Sequence, residues 1–177
     1  MGRFWLFVTV ITANLLLFPA QAKELSVGTY IGSRFDMARA LQAVALMNHI
    51  VGTSESADDT ACPVHFQLRS FTEDPRMPRI IGSQADLRIA RSLGYDIAIV
   101  SAIRSCGSVG LGLVGCSPLG HKGAVVVDTR NPMVDGSLWA HEYGHVRGLN
   151  HSSNSTGIMH PGLRNKFQLS ANECRAF

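Results

Sequence analysis

Residues 141–151 read HEYGHVRGLNH and place three histidines, a glutamate and two glycines within eleven positions. His141 and His145 are four apart; on a helix they differ by about 40° in direction and about 6 Å along the axis, close enough to hold one ion together. Neutral imidazoles suit zinc. A helix continued to His151 would point it roughly 240° away from His145 and about 9 Å farther along, out of reach of the same ion. The third imidazole joins the site only if the helix stops and the chain swings back, and Gly148 stands where a left-handed turn costs least. His141, His145 and His151 are therefore the candidate metal ligands.

Three protein ligands leave one tetrahedral position for water, the arrangement of a catalytic rather than a structural zinc. Glu142, beside the first ligand, is the candidate general base, while the ion would lower the pKa of that water and polarise a scissile carbonyl. Peptide-bond hydrolysis is the reaction this assembly suits. The pattern H-E-x-x-H fixes three positions and is only suggestive; H-E-x-x-H-x-x-G-x-x-H fixes six, which makes coincidence a poor explanation. One zinc is expected, and the pattern says nothing of calcium. The alternative is a module that holds zinc and a protein or peptide partner without cutting it. Glu142 favours the enzyme, because a purely structural site does not need it. His49, His65, His121 and His160 read as surface or structural imidazoles, and Tyr143 and Arg147, opposite the ligands on the helix, as packing or solvated residues.

The elements that must position these residues are legible in outline. LSVGTYI is extended; Ser33 and Asp36 then resemble a capping box ahead of a helix with Met37, Leu41, Val44 and Asn48 at helical spacing and Gly52 at its end. CPVHFQLRSF alternates, with Val64, Phe66 and Leu68 on one face of a half-buried strand. A short helix is expected near ADLRIARSL, an interior strand in YDIAIVSAI and another strand in GAVVVD. VGLGLVG, glycine-rich between Cys106 and Cys116, suits an edge strand, which could pair with an extended substrate backbone. A turn at Asp135-Gly136 and a cap at Ser137 open the last helix, through LWAHEYGHVRGL. The fold class is mixed α/β (α+β), with the chemistry on that helix.

The chain has 177 residues, an ordinary size for one domain, and shows no repeat or dividing linker. Residues 1–22 carry Arg3, an uncharged apolar run and Ala20-Gln21-Ala22, and read as a signal peptide followed by one domain over 23–177. The run is shorter than the ~20 residues a spanning helix needs, so no membrane contact is expected after its removal, which lowers the net charge of +3 by one. No dense basic stripe points to nucleic acid, and a monomer is expected. A secreted or periplasmic location fits four cysteines, Cys62, Cys106, Cys116 and Cys174, whose two disulfides allow three pairings.

With HEYGHVRGLNH followed by HSSNSTGIMHP, the sequence resembles the metzincin zinc endopeptidases, from about Ala140 to Pro161. The resemblance implies that Met159 is the Met-turn methionine beneath the metal. Ser152 after the third histidine is similar to matrixins, whereas CGSVGLGLVGC upstream is more similar to adamalysins. That second likeness implies the pairs Cys116–Cys174 and Cys62–Cys106. The family also implies an upper part with a twisted mixed sheet and two main helices, a cleft holding the metal, and a small irregular part after Gly148. Two departures matter. Leu163 stands where matrixins commonly carry a tyrosine after the Met-turn, so primary specificity does not transfer, and Pro161 stands where astacins and serralysins carry a zinc-interacting tyrosine.

Overall fold

The computed structural model describes residues 21–53, 62, 64–107, 112–162 and 168–177. Residues 1–20 of the expected signal segment, 109–111 of the glycine-rich stretch and Leu163 lie outside them. In chain order the elements are β1 (Gln21–Thr29), α1 (Met37–Thr53), β2 (Val64–Glu73), β3 (Ile80–Ile81), α2 (Gln84–Ser92), β4 (Ile97–Val100), β5 (Ala102–Ile103), β6 (Gly115–Cys116), β7 (Ala124–Val127), α3 (Pro132–Val146) and α4 (Ala171–Ala176). Five strands form one sheet in the order β2-β1-β4-β7-β6, while β3 and β5 pair separately. β1 is parallel to β2 and β4, β4 is parallel to β7, and β6 runs antiparallel to β7 at the sheet edge.

The apolar run of β4 is buried on both faces because helices cover both. Ile97 and Ile99 face the core shared with α1 and α3, whereas Ala98 and Val100 face the smaller core under α2. β2, at the other edge, alternates as its sequence predicts: Val64 and Phe66 are buried, His65 and Gln67 exposed. Phe35 stacks between Phe71 and Trp139, with ring centroids 6.4 and 5.8 Å apart, and closes the larger core at one end.

α1 forms where expected, yet Met37 and Leu41 are more than half exposed, at 54% and 52%. The buried face is Ala40, Ala43, Val44, Met47, Ile50 and Val51. Asn48 sets this rotation: its Nδ2 donates to Phe66 O (2.9 Å) and its Oδ1 accepts from Phe66 N (2.7 Å), tying the helix to the outer edge of β2. Asp36 rather than Ser33 caps the helix, accepting from Arg39 N at 2.9 Å.

α3 also begins earlier than the turn and cap read at Asp135-Gly136 and Ser137. Asn131 is the N-cap, accepting from Met133 N, and Pro132 opens the helix, where its missing N–H costs nothing. Asp135 is used otherwise. Its carboxylate accepts from Thr129 N and Oγ1 and pairs with Arg39, whose guanidinium also reaches Asp128 at 2.8 Å, so one cation ties α1 to both ends of the β7–α3 connection. Gly136 lies inside the helix because a Cβ there would come within 2.6 Å of Leu46 Cβ on α1. Gly136→Ala should therefore destabilise the protein by about 1–3 kcal/mol despite its gain in helix propensity, lowering Tm by roughly 3–10 °C in a thermal melt.

The disulfides are Cys62–Cys174 and Cys106–Cys116, with Cα atoms 5.2 and 5.9 Å apart, and not the pairs implied by the adamalysin likeness. The sheet itself separates Cys116 from Cys174. Cys106 and Cys116 belong to the α2 side, where Leu113 bridges Ile103 and folds the chain back on itself. Cys62 and Cys174 belong to the α1–α3 side, where Phe177 anchors α4 against Phe66 and Tyr143.

Candidate active site

Residues 135–144 of α3 are all buried, so every polar group this helix carries inward needs a purpose. His141 Nδ1 lies 2.7 Å from Ile158 O and His145 Nδ1 2.7 Å from Leu149 O. A carbonyl can only accept, so each Nδ1 carries the proton and each Nε2 presents a lone pair. His145 Nε2 is 3.1 Å from His141 Nε2 and 3.2 Å from His151 Nε2. Three nitrogens around one zinc at ordinary bond lengths would stand about 3.3 Å apart, so this donor set fits the ion. Among the described residues these three imidazoles form a group able to hold a metal, and His49, His65, His121 and His160 are not part of it.

The chain reversal that brings His151 in occurs where the sequence places it. Gly148 has φ +91°. Its N–H donates to His145 O and Leu149 N–H donates to Gly144 O, a Schellman ending that also aims Leu149 O back at His145. His141 is buried, His145 half-buried and His151 exposed, so the ligand shell opens outward from the helix. Burial depresses the His141 imidazole to about 4, and burial likewise lowers His145, so both are neutral, ligand-ready bases near pH 7.

Met159 is buried beneath α3 against Gly144, where any Cβ would overlap its Sδ. Gly144, the first of the two glycines in HEYGHVRGLNH, has no role in the sequence reading, yet it lets the chain after His151 pass under the helix. Ser152 N donates to Met159 O at 2.9 Å and His160 N to Gly157 O at 3.1 Å, closing the turn on both sides of Met159.

Glu142 projects from the same helix into a cleft of about 550 Å³ that also takes in His141, His145 and His151. Its side chain packs flat on Gly115 of β6, where a Cβ would collide with the carboxyl group. Oε2 has no hydrogen-bond partner among the described residues. Burial raises this carboxyl to about 7, a shift opposed first by the nearby Ser117 hydroxyl and then by the charge of Arg91. Leu113, Val114, Leu119 and Pro161 supply apolar walls. Of the edge strand expected over VGLGLVG, the described residues place only Gly115 in β6, with Leu113 in an isolated bridge, and this segment forms one side of the cleft. Gly115, the part of it that matters most, was hidden in the sequence because glycine there reads equally well as a turn residue.

Residues 127–177 match the model of the matrixin family. No curated protein matches the chain. Among solved structures it is similar to metalloproteinase-II from Bacteroides fragilis, at 14% identity and TM-score 0.56 over 88% of this chain and 51% of that one. It is also similar to an archaemetzincin from Methanopyrus kandleri, at 18% identity and TM-score 0.51 over 86% of this chain and 85% of that one. A structure described as a chaperone–substrate complex aligns at 11% identity and TM-score 0.53, over 89% of this chain and 33% of that one. The chain spans 33% of the length of the chaperone–substrate complex chain and 51% of that of the Bacteroides metalloproteinase. The likeness to the two metalloproteinase structures is one of fold, and the segment that matches the matrixin model contains the three-histidine site.

Proposed function

We propose that this protein is a secreted zinc-dependent endopeptidase in which His141, His145 and His151 hold the ion through Nε2 and Glu142 is the general base. The observation that carries this reading is the convergence of the three Nε2 atoms, with two of the rings locked in the metal-binding tautomer by Ile158 O and Leu149 O. When bound, zinc supplies an acidified water and a Lewis acid for the scissile carbonyl. The chain supplies the rest. Glu142, with Oε1 against Gly115 and Oε2 unclaimed, takes the proton of the attacking water and returns it to the departing amine. Met159 and Gly144 hold the floor beneath the histidines, and the free edge of β6 aligns an extended peptide by main-chain hydrogen bonds.

The signal-like segment at residues 1–22 is read as directing export and 23–177 as the working domain; two disulfides support a periplasmic or extracellular site. No helix among the described residues is long and apolar enough to cross a membrane. Protein or peptide is the substrate class, acted on by a monomer. The test is a peptide library incubated with purified protein after dialysis and elemental analysis. One zinc per chain and cleavage abolished by a chelator are expected. Zinc binding with no cleavage of any peptide would leave a binding module in place of the enzyme.

A further inference from the structure

The Cys106–Cys116 disulfide borders the cleft, and its two sulfurs sit in different surroundings. Cys106 is half-buried and lines the cleft. Cys116 is 2% exposed and turned toward α2, where Arg91 Nη2 lies 3.5 Å from its Sγ. A thiolate attacks the sulfur it can reach, and the bond breaks more readily when the other sulfur leaves as a stabilised thiolate. Here access belongs to Cys106 and stabilisation to Cys116, which has a guanidinium already in place. Cys62 and Cys174 of the second disulfide are both buried in the larger core, so neither offers the access that Cys106 does.

Opening the bond would release a segment whose described residues have few other holds. β6 has two residues, Gly115 and Cys116, paired with Val126 and Val125. Beyond these, among the described residues, are the hydrogen bond from Val127 N to Val114 O at 2.7 Å, that from Gln84 Nε2 to Gly107 O at 3.3 Å, and the bridge between Leu113 and Ile103. The residue next to Cys116 is Gly115, the wall against which Glu142 rests.

We propose that Cys106–Cys116 is a thiol–disulfide exchange site and that its reduction by a dithiol disables the cleft; the effect on turnover rests on the hydrolase reading, whereas the exchange site does not. One thiolate of the dithiol bonds to Cys106 Sγ, the Cys106–Cys116 bond breaks, and the electron pair leaves on Cys116 beside Arg91. The second thiol of the reagent then displaces Cys106, so the dithiol is oxidised to its disulfide and two protein thiols are formed. Re-oxidation restores the wall.

The test treats the zinc-loaded protein with dithiothreitol in zinc-buffered solution, quenches samples with N-ethylmaleimide over time, and maps the labelled cysteines while following peptide cleavage and zinc content. Cys106 and Cys116 should be labelled at least about tenfold faster than Cys62 and Cys174, and glutathione should be trapped on Cys106. Cleavage should fall by about tenfold or more at constant zinc and recover on re-oxidation, and Arg91→Met should slow opening by about 3–10-fold. Equal or reversed labelling, glutathione on Cys116, or full turnover with the bond open would overturn the proposal. Should the oxidised protein cleave nothing, the hydrolase reading fails on its own, and the labelling order still decides whether the exchange site exists.

Discussion

Glu142→Ala should lower kcat for a peptide substrate by about 10²–10⁴-fold while the protein keeps one zinc per chain, because the histidine shell is untouched and only the proton acceptor is lost. Full turnover in that variant would remove Glu142 from the mechanism. A second arm reads the same carboxyl without any activity. In the metal-free protein burial raises Glu142 from its ordinary value of 4.5 to about 7. The folded state thus binds a proton that the unfolded chain has already released, and stability falls as pH rises between those values. Glu142→Gln removes the titration. Chelator-stripped Glu142→Gln should match the stripped wild type near pH 4.5 and exceed it at pH 8 by on the order of 3 kcal/mol. The opposite shift of His141 is common to both proteins and cancels in the difference. Identical denaturation midpoints at both pH values would show that Glu142 is hydrated in the folded state.

Gly115→Ala is the second large effect. A Cβ at this position overlaps the Glu142 carboxyl group, and the strand carrying it is tied to β7 and to Cys106, so the glutamate is the group that must give way. A displacement near 1 Å of a reacting group costs about 10²-fold, so kcat should fall by about that factor. Zinc content should hold, since the three atoms nearest the new methyl group's position all belong to Glu142 and none to a histidine. A normal kcat would mean that Glu142 finds a second productive position and that β6 is not its support. Loss of zinc would instead point to a wider collapse of the cleft.

Much of the metal centre was readable from the chain because it is local: a four-residue spacing on one helix, a glycine at its end and a histidine three residues beyond. Short-range geometry of this kind follows from helix dimensions and the steric freedom of glycine. What was not readable depended on distant partners. The rotation of α1 is decided by Asn48 against a strand edge, so Met37 and Leu41, good core candidates by spacing, ended up facing outward. The beginning of α3 was obscured because Asp135 and Gly136 resemble a turn until Arg39 and Leu46 are brought beside them. Cysteine pairing failed for a similar reason: which face of the sheet each sulfur occupies is a property of topology, not of spacing. The same holds for Gly115 and Gly144, whose worth lies in what presses against them.

The Cys62–Cys174 link joins residues 112 apart in sequence, against 10 for Cys106–Cys116. Ring closure over the short stretch is entropically easier by a margin that grows with the logarithm of length, so in a chain newly delivered to an oxidant the local bond has the head start. The long one must wait until the C-terminal helix has docked. Oxidative maturation of this protein thus acquires an order, with the wall beside Glu142 fastened early and the C-terminal helix locked to Cys62 only afterward.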